Sequence, residues 1–334
     1  MTASTPWIAP LLGVPLTAVG VADLLKVGLG RSGATGLYSG WLLRVLWRIV
    51  RGSQQAAAGP FRRWLLKGFG PAFIVLGLVL WVLLPIVGFA LCFWPAMASG
   101  GFRSGGDAVT GGFLEALYFS AYAFTTLGLG PLTPAGAGPR LLAVAESALG
   151  FAVFTLAITY LLGVYGALRR RDAFAMECWH LSGRTGRGAE LLDRLPGGRA
   201  DTPEASRVLG RLLGGICELH ESHHTHPLLH HFRRRQAFYG MSAVVLLALE
   251  LVDAGRGQGG DAGESWRASA SAGACRDAAA HLVSDLGPRL LGAAAPASGA
   301  YALAEALRIQ MGFAAASPTG EALSPNQTPV HRSD

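Results

Sequence analysis

The run Thr125-Thr126-Leu127-Gly128-Leu129-Gly130 has the residue types of a backbone built to hold a cation. Gly128 and Gly130 open backbone angles closed to other residues, so successive peptide carbonyls can face one axis. A ring of such carbonyls replaces the hydration shell of an ion. The Thr126 hydroxyl adds one more oxygen. A short apolar stretch, Phe113–Phe124, precedes the run; as a helix it points its negative C-terminal end at the ion. One chain carries one such loop, so a closed ring takes several chains.

Glu146, Gly150 and a histidine cluster are the other residues with chemical reach. Glu146 stands near the outer end of an apolar stretch, where an ionisable residue is a functional candidate. It either supports the loop from behind or reaches outer water. Gly150, like Gly163, serves as a hinge in a gating helix or as a close-packing point. Six of the nine histidines fall within residues 220–231, among them His220, His223, His224 and His226. The four-residue spacing of His220 and His224 suits a shared metal, and the cluster suits pH sensing. The competing reading is a solvated helix end, since Pro227 interrupts any single helix through the cluster. Residues 183–188 are glycine-rich but lack the Gly-Lys-Ser/Thr ending of a phosphate loop.

Elements long enough to position the loop follow from where charge is missing. Residues 68–102 and 147–168 contain no Asp, Glu, Lys or Arg. Each exceeds or meets the roughly 20 apolar residues that cross a bilayer. Residues 1–22 are also uncharged, and 7–29 read as a first span carrying Asp23 and Lys26 near its end. The sequence therefore predicts an all-α integral membrane protein. Its parts are an N-terminal transmembrane helix (1–30), a basic interfacial helix (31–69), a pore domain (70–171), a helical cytoplasmic domain (172–313) and a disordered tail (314–334). Within the pore domain the expected order is an outer helix at 70–94, a glycine-rich loop at 95–112, a pore helix at 113–124, the filter at 125–130 and an inner helix at 141–168. Arg169, Arg170 and Arg171 are read as the stop of the last span.

Charge also sets the expected orientation. The net charge is +7, yet residues 1–171 hold 13 of the 28 basic residues and 4 of the 21 acidic ones. The membrane half is thus the basic half. A nucleic-acid reading needs a basic soluble region, and the rest of the chain is slightly acidic. Every charged residue within 31–67 is basic; Arg44, Arg48 and Arg51 share one helical face within a Trp- and Leu-rich stretch, the pattern of a helix lying in the interface. The 31–67 linker and the 169–171 triplet lie two spans apart and so face one side. Lys and Arg concentrate on the cytoplasmic side, which places the C-terminus inside and the N-terminus and residues 95–140 outside. Cys92, Cys178, Cys217 and Cys275 are scattered and imply neither a disulfide framework nor a zinc ribbon. No nucleophile–base pair or paired carboxylate stands in the spans, so an enzyme is not expected.

Residues 113–130, flanked by two spans, resemble the pore domain of the two-transmembrane potassium channels, whose filter reads T-V-G-Y-G. Thr126, Leu127, Gly128, Leu129 and Gly130 align with that motif, and the resemblance covers about residues 70–168. It implies a homotetramer in a lipid bilayer, K+ as permeant ion, no further cofactor, and residues 125–130 as the filter. The extra N-terminal span resembles a bacterial branch of the family, which implies the plasma membrane. Leu129 replaces the usual aromatic and Pro131 the usual Asp, so two polar anchors of the filter are missing. A second reading keeps the fold but makes the chain a non-selective or non-conducting sensor with a metal- or pH-responsive histidine-rich domain.

Overall fold

The computed structural model describes residues 6–29, 36–42, 45–46, 60–128, 130–226, 228–229, 232, 234, 236–291 and 299–310. The expected 314–334 tail lies outside the described residues, as does most of the expected interfacial helix. The chain divides into two compact units, Met1–Val164 and Tyr165–Asp334.

In the first unit a 3-10 turn, Pro6–Ile8, leads into α1 (Ala9–Leu29). Then comes α2 (Pro60–Ala98), a single helix that runs through Pro71, Pro85 and Pro95. Residues 60–69, expected in the interfacial helix, are the start of α2 instead. The windows Ala9–Gly28 and Gly70–Ala98 are long and apolar enough to cross a membrane. Between spans, packing rather than hydrophobicity holds helices together, and small residues allow close approach. That is the case here: a Cβ on Gly13 would overlap the Gly88 carbonyl, and one on Gly88 would overlap the Thr17 hydroxyl.

The loop expected at 95–112 is more ordered than its composition suggests. α2 continues to Ala98. Strands β1 (Phe102–Ser104) and β2 (Asp107–Val109) follow, and β3 (Leu132–Pro134) completes a three-stranded antiparallel sheet in the order β2-β1-β3. Gly105 and Gly106 both have positive φ, 58° and 101°. Two central residues of that kind make the hairpin turn whose twist matches paired strands. In the β1–β3 register Phe102 pairs with Pro134 and Ser104 with Leu132. Phe102 drops into an aromatic cluster, its ring 4.8 Å from Phe119 and 6.1 Å from Phe93. The sheet therefore ties the chain leaving the glycine-rich run to the end of α2.

Helix α3 (Phe113–Phe124) and helix α4 (Ala137–Leu181) complete the unit. The arginine triplet does not end α4, which continues to Leu181 inside the second unit. Arg171 is buried there. Its guanidinium lies 3.1 Å from Asp172 and donates to the carbonyls of Leu229 (3.0 Å) and Phe232 (3.2 Å). Satisfying those carbonyls offsets the cost of burying the charge. Arg170 pairs with Glu218 at 2.7 Å.

The second unit is helical: α5 (Gly188–Asp193), α6 (Pro203–Thr225), α7 (Met241–Gly257), α8 (Gly260–Ala268), α9 (Ala270–Leu291) and α10 (Ala300–Gln310). Helix α6 starts where its sequence says it should. Thr202 accepts from the Ala205 amide at 3.1 Å and Pro203 occupies the first turn, the usual chemistry of a helix N-terminus. Leu209, Leu212, Ile216 and Leu219 recur at helical spacing and are buried, so one stripe of α6 enters the core. Trp266 closes that core, its indole donating to the Gly198 carbonyl at 2.6 Å.

Candidate functional site

The site is built on the end of α3. The Glu115 carboxylate accepts from the Gly112 amide at 2.8 Å and starts the helix. Leu127 N–H donates to the Tyr122 carbonyl at 3.0 Å and Thr126 N–H to the Ala123 carbonyl at 3.1 Å. These are the two bonds of a Schellman motif. Its left-handed position, normally glycine, is Thr126, with φ of 55°. A β-branched residue there is strained, by roughly 1–3 kcal/mol. Thr125 before it is right-handed (φ −76°), and Gly128 is left-handed again, with φ of 66°. Thr125, Thr126, Leu127 and Gly128 are all exposed. The Thr126 hydroxyl donates to the Thr125 carbonyl at 2.7 Å, so its lone pairs face away from that bond. Leu129 lies outside the described residues.

The run is braced from the helix that precedes it. Tyr122 donates its hydroxyl to the Leu132 carbonyl at 2.5 Å. Gly130 lies against the Tyr122 ring so closely that a Cβ would overlap it. One side chain thus holds the run at Gly130 and again where β3 begins. Its hydroxyl is a polar anchor on the chain leaving the run. Sequence reading overlooked Tyr122, although an aromatic hydroxyl in the last turn of this helix was a visible signal.

Helix α4 supports α3 rather than the run itself. Ser147 donates to the Ala123 carbonyl at 2.9 Å. A Cβ on Gly150 would overlap the Phe124 carbonyl oxygen, so Gly150 is where α4 meets the end of α3. The helix passes through it unbroken, packed closely against the end of α3. Glu146 is fully buried, with Oε1 2.5 Å from Ser120 Oγ. Ser120 in turn donates to the Ile86 carbonyl of α2 at 2.7 Å. Glu146 therefore joins α4, α3 and α2 one step behind residues 125–130, and it does not reach outer water.

A second buried carboxylate is Asp23, which the sequence places in the first span without showing its partners. Asp23, on α1, accepts from the Trp81 indole at 2.9 Å, from the Tyr38 amide at 2.9 Å, and from the Ser39 amide and hydroxyl at 3.2 Å each. It ties the first span to α2 and to the segment that follows it. An acidic residue in a span was the signal, and it was legible.

The histidines separate into three environments. His220 and His224 face Asp285 on α9. His223 points into the core, donating Nδ1–H to the Leu219 carbonyl at 2.8 Å. Burial pushes its pKa down to about 4, so it stays neutral and engaged. His226, one residue past α6, is half-buried and held below the usual imidazole range, also by burial. The expected group of four is thus a pair with a carboxylate the sequence did not suggest, and His223 and His226 are not part of it.

Residues 78–166 match the model of the ion channel family, described as "Ion channel". An uncharacterized membrane protein of Bacillus subtilis (strain 168), YdjJ, is 25% identical over 239 residues, covering 72% of this chain. The match covers 66% of that protein, just under two thirds of its length. No solved structure matches the chain. The matched residues take in residues 78–98 of α2, all of α3, the glycine-rich run and the apolar part of α4, so it is this part of the chain that is similar to the ion channel family.

Proposed function

We propose that four copies of this chain surround a pore that conducts potassium-type cations, with residues 125–130 of each copy as the filter. The observation that carries this reading is the backbone alternation at the end of α3. Left-handed Thr126 and Gly128 alternate with residues of negative φ. Alternating handedness turns successive peptide groups the same way, N–H to one side and C=O to the other, and here the Thr126 and Leu127 N–H groups point back to α3, which leaves the carbonyl side for a ring around an axis. Residues 125–128 of the run are exposed in one chain, as are Phe151, Ile158 and Leu162 on α4. Exposed irregular backbone is not stable against lipid, so neighbouring copies and pore water are its natural surroundings. Clusters of Lys and Arg around the spans support an N-terminus outside, a C-terminus in the cytoplasm, and residence in the bacterial plasma membrane.

Purified protein in vesicles tests the reading. K+ flux that exceeds Na+ flux, from a species of tetramer size in detergent, is the expected result. Equal fluxes support the non-selective alternative. Absence of any cation flux, or a monomer or dimer that cannot close a ring, sinks the channel reading.

A further inference from the structure

We infer that the second unit holds a divalent transition-metal site formed by His220, His224 and Asp285. Two turns of chemistry meet between α6 and α9. On α6 the imidazoles of His220 and His224, one turn apart, bring their Nε2 atoms to 3.2 Å. On α9 the Asp285 carboxylate oxygen Oδ2 lies 3.1 Å from the first and 2.6 Å from the second. Three ligating atoms therefore form a small triangle. In tetrahedral zinc coordination, bonds of about 2.0–2.1 Å place neighbouring ligand atoms roughly 3.3 Å apart. Two edges of the triangle already match this and the third opens by a few tenths of an ångström.

Protons alone serve the triangle poorly. Each neutral imidazole has one N–H and one lone pair. If both Nε2 atoms carry hydrogen, two donors crowd together at the His–His edge; if one does not, its lone pair faces the carboxylate oxygen. A cation at the centre accepts from all three at once. The three side chains are between 17% and 34% exposed, open enough for an ion to enter and enclosed enough to hold it. The fourth position falls to water or to His281, one turn before Asp285, whose ring centroid is 5.1 Å from that of His220.

Ligand chemistry names the ion class. Two imidazoles and one carboxylate suit Zn2+ and its first-row neighbours; Mg2+ and Ca2+ prefer oxygen ligands alone. Binding cross-links α6 to α9. Helix α6 is also the element that Glu218 joins to Arg170 on α4.

The test uses full-length protein in detergent, freed of metal with a chelator, and Zn2+ as the probe. Calorimetry should give one Zn2+ per chain, not displaced by millimolar-excess Mg2+ or Ca2+, with a rise in the thermal unfolding midpoint. His224→Gln and Asp285→Asn, each shape-conserving, should weaken binding on the order of a hundredfold, since even loss of an outer-shell partner costs about 10–100-fold. They should also abolish the thermal shift. His180→Gln, on exposed α4 surface, should change neither. No Zn2+ binding by the wild-type chain overturns the site. So does binding that survives in a correctly folded His224→Gln/Asp285→Asn double variant. The readout is independent of conduction, so the site and the pore reading stand or fall separately.

Discussion

Single residues at the end of α3 do more than the glycine-rich run alone suggests. Tyr122 spans the run, touching Gly130 with its ring and the Leu132 carbonyl with its hydroxyl. Tyr122→Phe keeps the ring and removes the hydrogen bond, a loss of about 0.5–1.5 kcal/mol. The expected outcome is a folded, conducting protein whose K+ over Na+ preference in vesicle flux falls several-fold. An unchanged preference would show that the brace does not set the geometry of the run. Thr126 lies at the same scale. Its type and its place in the motif were legible, whereas its left-handed backbone was not, because threonine rarely adopts that conformation. Tyr122 was missed for another reason. Its partner is a backbone carbonyl ten residues away, and carbonyls have no identity in a sequence.

Elements are set by close contacts that charge counting cannot see. The three stretches expected to span each fall in a helix long and apolar enough to cross a membrane, and Phe113–Phe124, at 12 residues, is a shorter apolar helix. Their true ends were hidden. The arginine triplet reads as a stop for a membrane span, yet a helix continues wherever buried partners satisfy its charges, as Leu229 and Phe232 satisfy Arg171. The three short strands were hidden too, because Gly105-Gly106 reads equally as loop and as hairpin turn. At this scale the sharpest experiment is Gly150→Ala. The added methyl meets the Phe124 carbonyl oxygen, backbone that cannot swing aside, and overpacking of this kind costs about 1–3 kcal/mol. Insertion into the membrane should persist while flux falls at least tenfold and the oligomer dissociates more readily in detergent. Wild-type flux from Gly150→Ala would mean that α4 and α3 separate freely there.

Across the whole molecule, the four cysteines report on topology. Cys217 is exposed on α6, while Cys178 and Cys275 are buried. Burial pushes the Cys275 thiol up to about 12, which leaves little reactive thiolate. A membrane-impermeant maleimide should label Cys217 in inside-out vesicles and not in right-side-out ones, and Cys275 only after unfolding. Labelling of Cys217 from the outer face would invert the orientation read from basic clusters. The division of the chain was legible in outline, since the charge balance changes sign near the point where the units meet. What the second unit holds was half legible. Helical spacing pairs His220 with His224 within one element, but Asp285 lies 61 positions beyond His224 and only folding brings it there.

The carboxylate of Asp23 bears on biogenesis. Its partner on α2, the Trp81 indole, is made 58 residues later. Until then its carboxylate has only the Tyr38 amide and the Ser39 amide and hydroxyl as donors, and an acidic group in a span is costly to leave short of partners. The first segment is thus a poor independent passenger through the insertion machinery. Trp81 supplies the α2 half of the cradle around Asp23, so the first segment is expected to be more stable in lipid with the second segment than without it.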